Sequence, residues 1–419
     1  MKGIDFKNAS CKRCYKCVRS CSVKAIKVRD AQATIMDDHC VLCGTCLEVC
    51  PQNAKTFVSD LDRVKAFIAE EKKTVVSLAP AYLGILDYEK QGQVVDALLK
   101  LGFSEVRETA EGAAYVTEAY TKLLEAGQMK NIISTCCPSV NELVEKYYPE
   151  LVQDMAPVVS PMVAHGKLIK AMYGPDVKVV FIGPCIAKKQ EAEGDDRTTG
   201  FVDAVLNFEE VESWLQECDI SIRKCEEKQP ANPDPKVNRL YPVTSGVISS
   251  VLAKKKVDSY KKIFVDGIED CREVFEDMKK GLIEGCFIEA NMCEGGCVKG
   301  PAVNKLHISK YKATMVIEEQ VEKQDPAYPQ LAGNIDISKH FRSERIQDEM
   351  PTEEQITRIL KATGKYNKTQ ELNCGACGYP TCREKAIAVF QGKAEQEMCL
   401  PHVYEKARSM SNVVLEATP

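Results

Sequence analysis

Short apolar runs recur along the middle of the chain, between about residues 66 and 320, with amphipathic stretches between them. Four of these runs are strand-like: TVVSLA (74–79), NIIST (131–135), KVVFIG (178–183) and KIFVDG (262–267). Helical stretches such as VVDALLKLG separate them. Short apolar runs that alternate with helical periodicity are typical of parallel sheets. The pattern therefore predicts an α/β fold for this region.

The chain is expected to be a multidomain α/β protein, because 419 residues exceed one typical domain. Residues 1–58 form a short cysteine-rich region, and residues 66–350 carry the α/β pattern. Within the latter, the charged, proline-containing stretch 318–330 predicts a linker or a surface excursion. Residues 352–419 are expected to form a small, mostly helical domain with cysteines of its own.

Composition and charge exclude several classes of function. The net charge is −5 and no basic run is present, so no nucleic-acid partner is expected. No apolar run approaches the ~20 residues that cross a bilayer, and the first residues lack the apolar core of a signal peptide. We therefore expect a cytoplasmic protein with no membrane partner. In that reducing compartment, 21 closely spaced cysteines indicate soft metals such as zinc, copper or iron–sulfur clusters rather than disulfides.

Eight cysteines near the N-terminus form two runs with the spacing C-x2-C-x2-C-x3-C. They are Cys11, Cys14, Cys17 and Cys21, followed by Cys40, Cys43, Cys46 and Cys50. In bacterial ferredoxins, which have this pattern, the fourth cysteine of each run binds the cluster of the other run. We therefore expect a ferredoxin-like α+β domain with two [4Fe–4S] clusters, one held by Cys11, Cys14, Cys17 and Cys50, the other by Cys21, Cys40, Cys43 and Cys46. The alternative is a pair of zinc sites, which do not need eight cysteines in this phasing.

Three further cysteine motifs lie far apart in the α/β region. They are STCCPS (134–139), GPCIAKKQE (183–191) and EANMCEGGC (289–297). The first two directly follow strand-like runs, so their cysteines are expected at the ends of strands. Sites in α/β folds are commonly built at such strand ends. The cysteines of the first two motifs are therefore candidate site residues.

Together the three motifs resemble the signatures of [FeFe]-hydrogenases, usually written TSCCPxW, MPCxxKxxE and ExMxCxxGCxxGG. The resemblance implies a two-lobed α/β domain that binds the H-cluster, a [4Fe–4S] cluster joined to a diiron unit with CO, CN− and a bridging dithiolate. It implies that four cysteines hold the cubane: Cys137, Cys185, Cys293 and Cys297. Cys297 would also bridge to the diiron unit, while Ala79 and Pro80 match the segment that lines its pocket.

The resemblance also implies roles for three other side chains. Cys136 would give and take protons beside the dithiolate amine, although a free cysteine is often only a core residue. Lys188 would hydrogen-bond a cyanide ligand, a charge-assisted contact to a buried anion; the alternative is an ordinary surface lysine. Glu191 also matches its motif, and its alternative role is a local cap or ion-pair partner.

Several positions depart from the standard catalytic members of this family. Gly183 and Asn291 replace methionines, Val140 replaces a tryptophan, Ala156 replaces a serine of the usual proton path, and residues 300–302 replace a glycine run. Groups around a cluster set its potential and its access to solvent. Losing a methionine is expected to open space or admit water, and losing the serine to remove a link for protons. These departures resemble those of divergent hydrogenases assigned to sensing.

A last cysteine motif lies near the C-terminus. Its four cysteines are Cys374, Cys377, Cys382 and Cys399. The motif resembles the CGxCGxxxC module of redox and corrinoid proteins, which implies another [4Fe–4S] cluster, with zinc as the alternative. Four cysteines are left without a cluster and are expected to be structural: Cys218, Cys225, Cys271 and Cys286.

These features predict an enzyme that interconverts H2 with two protons and two electrons, with electron relay through the accessory clusters. H2 and protons are the expected substrates, a protein such as ferredoxin the expected electron partner, and H-cluster maturases the expected assembly partners. The departures favour a low-turnover sensory or regulatory role, which calls for a signalling partner. Two alternatives stay open: an ordinary ferredoxin-linked metabolic hydrogenase, and a non-catalytic relative used in iron–sulfur assembly.

Overall fold

The computed structural model describes residues 4–6, 10–303, 308–322, 328–331 and 333–417. These residues group into two compact units. The larger unit contains residues 41–43 and 57–345, and the smaller contains residues 4–40, 44–56 and the chain from Ile346 onward. The division into domains at 1–58, 66–350 and 352–419 stays a prediction.

The strands are short and are numbered in chain order. They are β1 (Ile4–Phe6), β2 (Ile26–Arg29), β3 (Gln32–Ile35), β4 (Lys55–Phe57), β5 (Thr74–Leu78), β6 (Glu105–Glu108), β7 (Ile132–Ile133), β8 (Lys178–Ile182), β9 (Ala204–Leu206), β10 (Lys261–Asp266) and β11 (Cys286–Asn291).

The helices are numbered in the same way. They are α1 (Lys16–Arg19), α2 (Thr45–Glu48), α3 (Leu61–Ala69), α4 (Tyr82–Ile85), α5 (Gly92–Lys100), α6 (Ala110–Ala126), α7 (Pro138–Tyr147), α8 (Pro161–Tyr173), α9 (Ala187–Glu193), α10 (Phe208–Glu217), α11 (Gly246–Lys254), α12 (Ile268–Lys279), α13 (Lys310–Glu322), α14 (Glu353–Ala362), α15 (Cys382–Phe390) and α16 (Leu400–Ala417). None of them, within the described ranges, combines the length and apolar character needed to span a bilayer.

Two parallel sheets organise the larger unit. One has the strand order β6-β5-β8-β9, and the other has the order β10-β11-β7. The central strand β5 is buried along its whole length, with Val76 opposite Val106 on β6 and Val180 on β8. A strand buried on both faces reads as a continuous apolar run, which is why the sequence indicated it. The predicted α/β class is confirmed.

The four strand-like runs correspond to β5, β7, β8 and β10, and VVDALLKLG lies mostly within α5. Strand β6 was not predicted, because its sequence EVRE carries three charges in four residues. Those charges are tolerated because they pair: Arg107 contacts Glu111 at 2.9 Å, and Glu108 contacts Arg239 at 2.6 Å. A search for apolar runs in the sequence cannot find a strand whose buried charges are neutralised by ion pairs.

The linker predicted at residues 318–330 is wrong for its first part. Residues 318–322 form the last turns of α13, whose Ala313 and Ile317 are fully buried. Residues 323–327 lie outside the described residues. Burying one face of α13 stabilises a helix that the charges in its sequence obscured.

The smaller unit joins the two ends of the chain. Strand β1 pairs with β4, and β2 pairs antiparallel with β3. Val18 and Ile26 from the N-terminal region share one apolar core with Tyr379, Ala388 and Met398 from the C-terminal region. The C-terminal cysteine module therefore packs directly on the ferredoxin-like region.

Candidate active site

Four chain segments leave their strands at one cavity in the larger unit. Ala79 and Pro80 follow β5, Cys136 follows β7, Cys185 follows β8 and Cys293 follows β11. The cavity and its opening to solvent together contain about 890 Å³ of empty space. Carboxyl ends of parallel strands are the usual position for ligands in α/β folds. Both sheets of the larger unit thus contribute to the same site.

The cavity brings together nearly all side chains that the sequence predicts for the site. Those that line it are Ala79, Pro80, Cys136, Cys137, Cys185, Lys188, Cys293 and Cys297. Glu191 does not line the cavity and instead contacts Lys188. The three motifs do meet, as expected, and the roles of their residues stay predictions.

Lys188 is held by contacts on α9 and at the cavity wall. Its Nζ donates to Glu191 Oε2 at 2.7 Å and to the Cys136 carbonyl at 3.2 Å. Ser160 Oγ donates to the same carboxylate oxygen at 2.9 Å. Burial lowers the pKa of Lys188, but Glu191, Cys185 and Cys136 together more than offset this, and the pKa lies above its ordinary value. The lysine is therefore a buried cation, unlike the surface lysine of the alternative interpretation.

Cys136 lies against a buried tyrosine. The Tyr120 hydroxyl lies 3.2 Å from Cys136 Sγ and accepts the Thr135 backbone N–H at 2.8 Å. Burial raises the pKa of Cys136 to about 12, although Tyr120 and Lys188 act in the opposite direction. A neutral thiol is thus the resting form, and Tyr120 is placed to hold its sulfur. The sequence offered no signal for Tyr120, because it lies on α6, outside every cysteine motif.

The chemistry of the donor set fits an iron–sulfur cluster. Burial raises the pKa of Cys137 and Cys297, and raises that of Cys185 to about 11. Such thiols ionise when a positive metal centre compensates them. Four cysteine thiols that line one cavity are the donor set that a [4Fe–4S] cluster uses.

Gly183 does not open space in the cavity, contrary to expectation. A Cβ at this position would lie 2.7 Å from the Phe181 ring and 2.9 Å from the Ala79 methyl group. Phe181 lines the cavity and therefore fills the volume that a methionine would take. Gly183 and Phe181 depend on each other sterically, since any side chain at 183 would displace the ring.

Asn291 brings a polar group to the cavity wall, and a buried carboxylate contacts it. Asn291 Nδ2 donates to Glu289 Oε1 at 3.3 Å, and the Ile248 N–H donates to Glu289 Oε2 at 2.9 Å. Burial raises the pKa of Glu289 to about 7. Glu289 belongs to the third cysteine motif, but its position in the sequence indicates no function for it. Its side chain is the hydrogen-bond partner of Asn291, which stands where the family has a methionine.

Ala156 and Val140 are both fully buried. A hydroxyl close to Ala156 belongs to Thr135, whose Oγ1 donates to the Ala156 carbonyl at 3.2 Å and to the Val158 carbonyl at 2.8 Å. The same Oγ1 lies 3.3 Å from the Tyr120 hydroxyl.

In the smaller unit, two further cysteine sets surround cavities. One cavity is lined by the four cysteines expected to share a cluster: Cys11, Cys14, Cys17 and Cys50. The other is lined by the C-terminal set: Cys374, Cys377, Cys382 and Cys399. Lys365 Nζ donates to Cys399 Sγ at 3.3 Å, which places a cation beside this second set. Both arrangements suit cubanes around which cysteine-rich loops wrap.

The remaining cysteines fall into two groups. Cys21, Cys40 and Cys46 belong to the same apolar core as Tyr379, and Cys43 lies two residues before α2. The four unassigned cysteines do not line the active-site cavity; they are Cys218, Cys225, Cys271 and Cys286. The last three are buried, and Cys218 is exposed.

Three family models match the chain. The C-terminal domain of the iron-only hydrogenase large subunit matches residues 72–301, more than half of the chain. A 4Fe-4S dicluster domain matches residues 10–54, and a family described as a putative Fe-S cluster matches residues 370–401. These matches support the predicted cofactor classes, which are [4Fe–4S] clusters and the H-cluster.

Three curated relatives are described as hydrogenases or their subunits. Iron hydrogenase 1 of Clostridium pasteurianum is 27% identical over 401 residues, covering 70% of this chain and 69% of the relative. The periplasmic [Fe] hydrogenase large subunit of Nitratidesulfovibrio vulgaris is 29% identical over 267 residues, covering 50% of this chain and 61% of the relative. A subunit of the NADP-reducing hydrogenase of Solidesulfovibrio fructosivorans is 23% identical over 362 residues, covering 69% of this chain and 62% of the relative. The chain thus spans less than two thirds of the latter two.

Solved structures show the same fold. A variant [FeFe]-hydrogenase of Chlamydomonas reinhardtii aligns with a TM-score of 0.54 at 17% identity, covering 69% of this chain and 100% of that chain. A second [FeFe]-hydrogenase, from a study of oxygen inactivation, aligns with a TM-score of 0.52 at 18% identity and the same coverages.

Proposed function

Because this chain belongs to the family of iron-only hydrogenase large subunits, we propose that it catalyses the reversible oxidation of H2 to protons and electrons. The observation that carries this proposal is the composition of the cavity. Four cysteines from three separate motifs, the thiol of Cys136 and the ammonium of Lys188 line the same space. A site for a cubane alone needs the four cysteines but neither of the last two groups.

Cys137, Cys185, Cys293 and Cys297 would hold the H-cluster, which would supply the redox chemistry of H2 when bound. Ala79 and Pro80 form an apolar part of the cavity wall. An apolar, water-poor wall strengthens each electrostatic contact inside the site.

Two side chains act on charge within the cavity. Cys136 holds and releases a proton at Sγ, and Tyr120 positions this sulfur from 3.2 Å. Lys188 directs its ammonium group at an anionic ligand, while Glu191 and the Cys136 carbonyl fix its orientation at 2.7 and 3.2 Å. A buried, oriented cation binds an anion without reorganising at the moment of reaction.

Electrons leave through the accessory clusters to a partner such as ferredoxin. The cysteine sets of the smaller unit support this proposal, because cubanes carry single electrons. Maturases that insert the diiron unit are required partners of any chain that carries it. A cytoplasmic location is part of the proposal and rests on the reducing chemistry that so many free cysteines need.

Within this activity we favour a low-turnover sensory or regulatory role with a signalling partner. Ala156 removes a hydroxyl from the usual proton path, and Asn291 exchanges a soft thioether for an amide bonded to Glu289. Slow turnover suits a sensor, which needs only H2 binding and a change of redox state. The competing roles are metabolic hydrogen turnover and iron–sulfur assembly without catalysis.

The test is H2 uptake and evolution by protein produced with and without maturases, with a dye or ferredoxin as electron partner. Turnover that depends on the maturases is the expected result, at rates well below those of fast catalytic hydrogenases. Fast turnover in both directions would retain the hydrogenase and reject the sensory role. No exchange between H2 and solvent deuterium after maturation would reject the activity itself.

A further inference from the structure

Four hydrogen-bonded side chains form a row that leads from the cavity into the protein. None of them has a role in the site as described above. Thr109 lines the cavity beside Ala79 and Pro80. Its Oγ1 lies 2.7 Å from Ser77 Oγ, which lies 2.7 Å from His165 Nδ1. On the far side of the imidazole, His165 Nε2 lies 3.1 Å from Glu111 Oε2. We propose that Thr109, Ser77, His165 and Glu111 form the proton relay of this enzyme and replace the path lost at Ala156.

Every member of the row both accepts and donates a proton, and no backbone group interrupts it. Thr109 occupies the N-cap of α6, yet its side chain makes no capping bond and bonds to Ser77 instead. Ser77 and His165 are both fully buried. Burying a serine and a histidine between a strand and a helix costs free energy of folding, whereas apolar residues there would not. This cost points to a function for both residues.

The packing of two helices brings the imidazole into this position. Helix α8 approaches α6 so closely that a Cβ on Gly112 would lie 2.6 Å from the His165 Cβ. Only glycine permits this approach, which directs the His165 ring toward β5. At the outer end, Arg107 binds both oxygens of Glu111 at 2.9 Å and also contacts Glu105 at 3.0 Å. The row therefore runs from the cavity toward a cluster of charges near the surface.

The charges around the row determine its resting orientation. The groups that face His165 are Glu111 and Arg107, with Glu108 farther away. Burial raises the pKa of Glu111, but His165 and Arg107 more than offset this, so it is a carboxylate. Burial lowers the pKa of His165, which is therefore a neutral ring. A carboxylate beside Nε2 requires the proton on Nε2, so Nδ1 accepts the proton of Ser77.

In this orientation the row carries protons outward. Thr109 Oγ1 takes a proton from the cavity and passes its own to Ser77 Oγ, and Ser77 passes its own to His165 Nδ1. The Nε2 proton then moves to the Glu111 carboxylate. One proton leaves the cavity, one carboxyl group forms, and no electron moves. The step between Cys136 and Thr109 crosses the cavity itself. Restoring the row takes three events: Glu111 releases its proton to water, the hydroxyl groups rotate, and a flip of the His165 ring returns its N–H to the side of Glu111.

This relay rests on the proposed function, so its test separates the two. Thr109→Val removes the hydroxyl with little change in shape, and Thr109→Ser keeps it as the matched control. Thr117→Val is a second control, because Thr117 is a buried threonine on the same helix whose hydroxyl bonds Asn238 and Tyr241, outside the row. Infrared bands of CO and CN− establish that each matured variant carries the cofactor.

We expect Thr109→Val to keep these bands, lose about 10²-fold in turnover, and show a larger solvent deuterium isotope effect, because proton transfer becomes limiting. Thr109→Ser should recover most of the turnover lost in Thr109→Val, and Thr117→Val should keep the parent rate and isotope effect. Parent-like turnover in Thr109→Val, or the same losses in Thr117→Val, would overturn the relay while the hydrogenase stands.

A measurement without the diiron unit tests the row directly. The chain has only 5 histidines, so selective 15N labelling of imidazoles in unmatured protein resolves them. His165 is expected as a neutral ring protonated at Nε2 at neutral pH. An imidazolium, or a ring protonated at Nδ1, would contradict the proposed orientation.

Discussion

Glu191→Gln is expected to destabilise the larger unit strongly, because it removes the charge that compensates Lys188. The Nζ–Oε2 distance is 2.7 Å, and the side chains are 10% and 2% exposed. The glutamine oxygen still accepts hydrogen bonds from Lys188 and Ser160, but it carries no charge to compensate the ammonium. Removing one partner of such a buried pair costs about 3–5 kcal/mol. Since glutamine still offers an acceptor, we expect about 3 kcal/mol, or a fall in Tm of about 6–12 °C.

Helix α9 supplies a matched control two residues away. Glu193 pairs with Arg63, and their side chains are 14% and 39% exposed. An ion pair that water reaches contributes about 0–1 kcal/mol, so Glu193→Gln should change little. The double variant with Lys188→Met should regain most of the loss, because it leaves no buried charge unpaired.

The assay uses a reporter that the chain provides. Trp214 is the only tryptophan and is buried against Phe103, at 5.7 Å between ring centroids in the larger unit. Its fluorescence follows unfolding of that unit in unmatured protein, which separates stability from cofactor loading. Equal losses in Glu191→Gln and Glu193→Gln would refute the idea that Lys188 is a buried cation held by Glu191.

Three further outcomes are expected. Cys136→Ser should keep the CO and CN− bands but lose about 10²-fold in turnover, since a hydroxyl releases its proton far less readily than a thiol; an unchanged rate would show that protons bypass Cys136. Because burial raises the pKa of Glu289 from 4.5 to about 7, the parent should lose stability as pH rises through about 7. Glu289→Gln should not show this loss. Tm–pH curves that run parallel for the parent and the variant would contradict the prediction. Gly183→Met should lower the free energy of unfolding by about 1–3 kcal/mol because it displaces Phe181. Adding Phe181→Ala to this variant should restore part of the lost stability, as measured by Tm.

The cluster cysteines could be predicted because the metal centre imposes their spacing along the chain. Cys11, Cys14 and Cys17 must wrap one cubane, so their separation is visible in the sequence itself. The groups that orient the site have no such constraint. Tyr120 and Ser160 come from α6 and from the start of α8, and only folding brings them to Cys136 and Glu191.

The fold likewise has features that the sequence indicates and features that depend on contacts between distant residues. Buried parallel strands such as β5 were predicted because they are apolar throughout, whereas β6 was missed because ion pairs neutralise its charges. Packing of the C-terminal module on the N-terminal region was not predicted either. It depends on contacts such as the Val28 N–H with the Lys393 carbonyl at 2.9 Å, which join opposite ends of the chain.

Infrared spectroscopy of the full chain, produced with H-cluster maturases and recorded before and after exposure to H2, would show whether the diiron unit is bound. Bound CO and CN− absorb in a window where protein does not. We expect bands from both ligands, a reversible change of these bands under H2, and their absence from Cys297→Ser produced in the same way. A matured chain that contains iron and sulfide for four cubanes but has no absorption in this window would contradict a hydrogenase and leave a protein that carries clusters without the diiron unit.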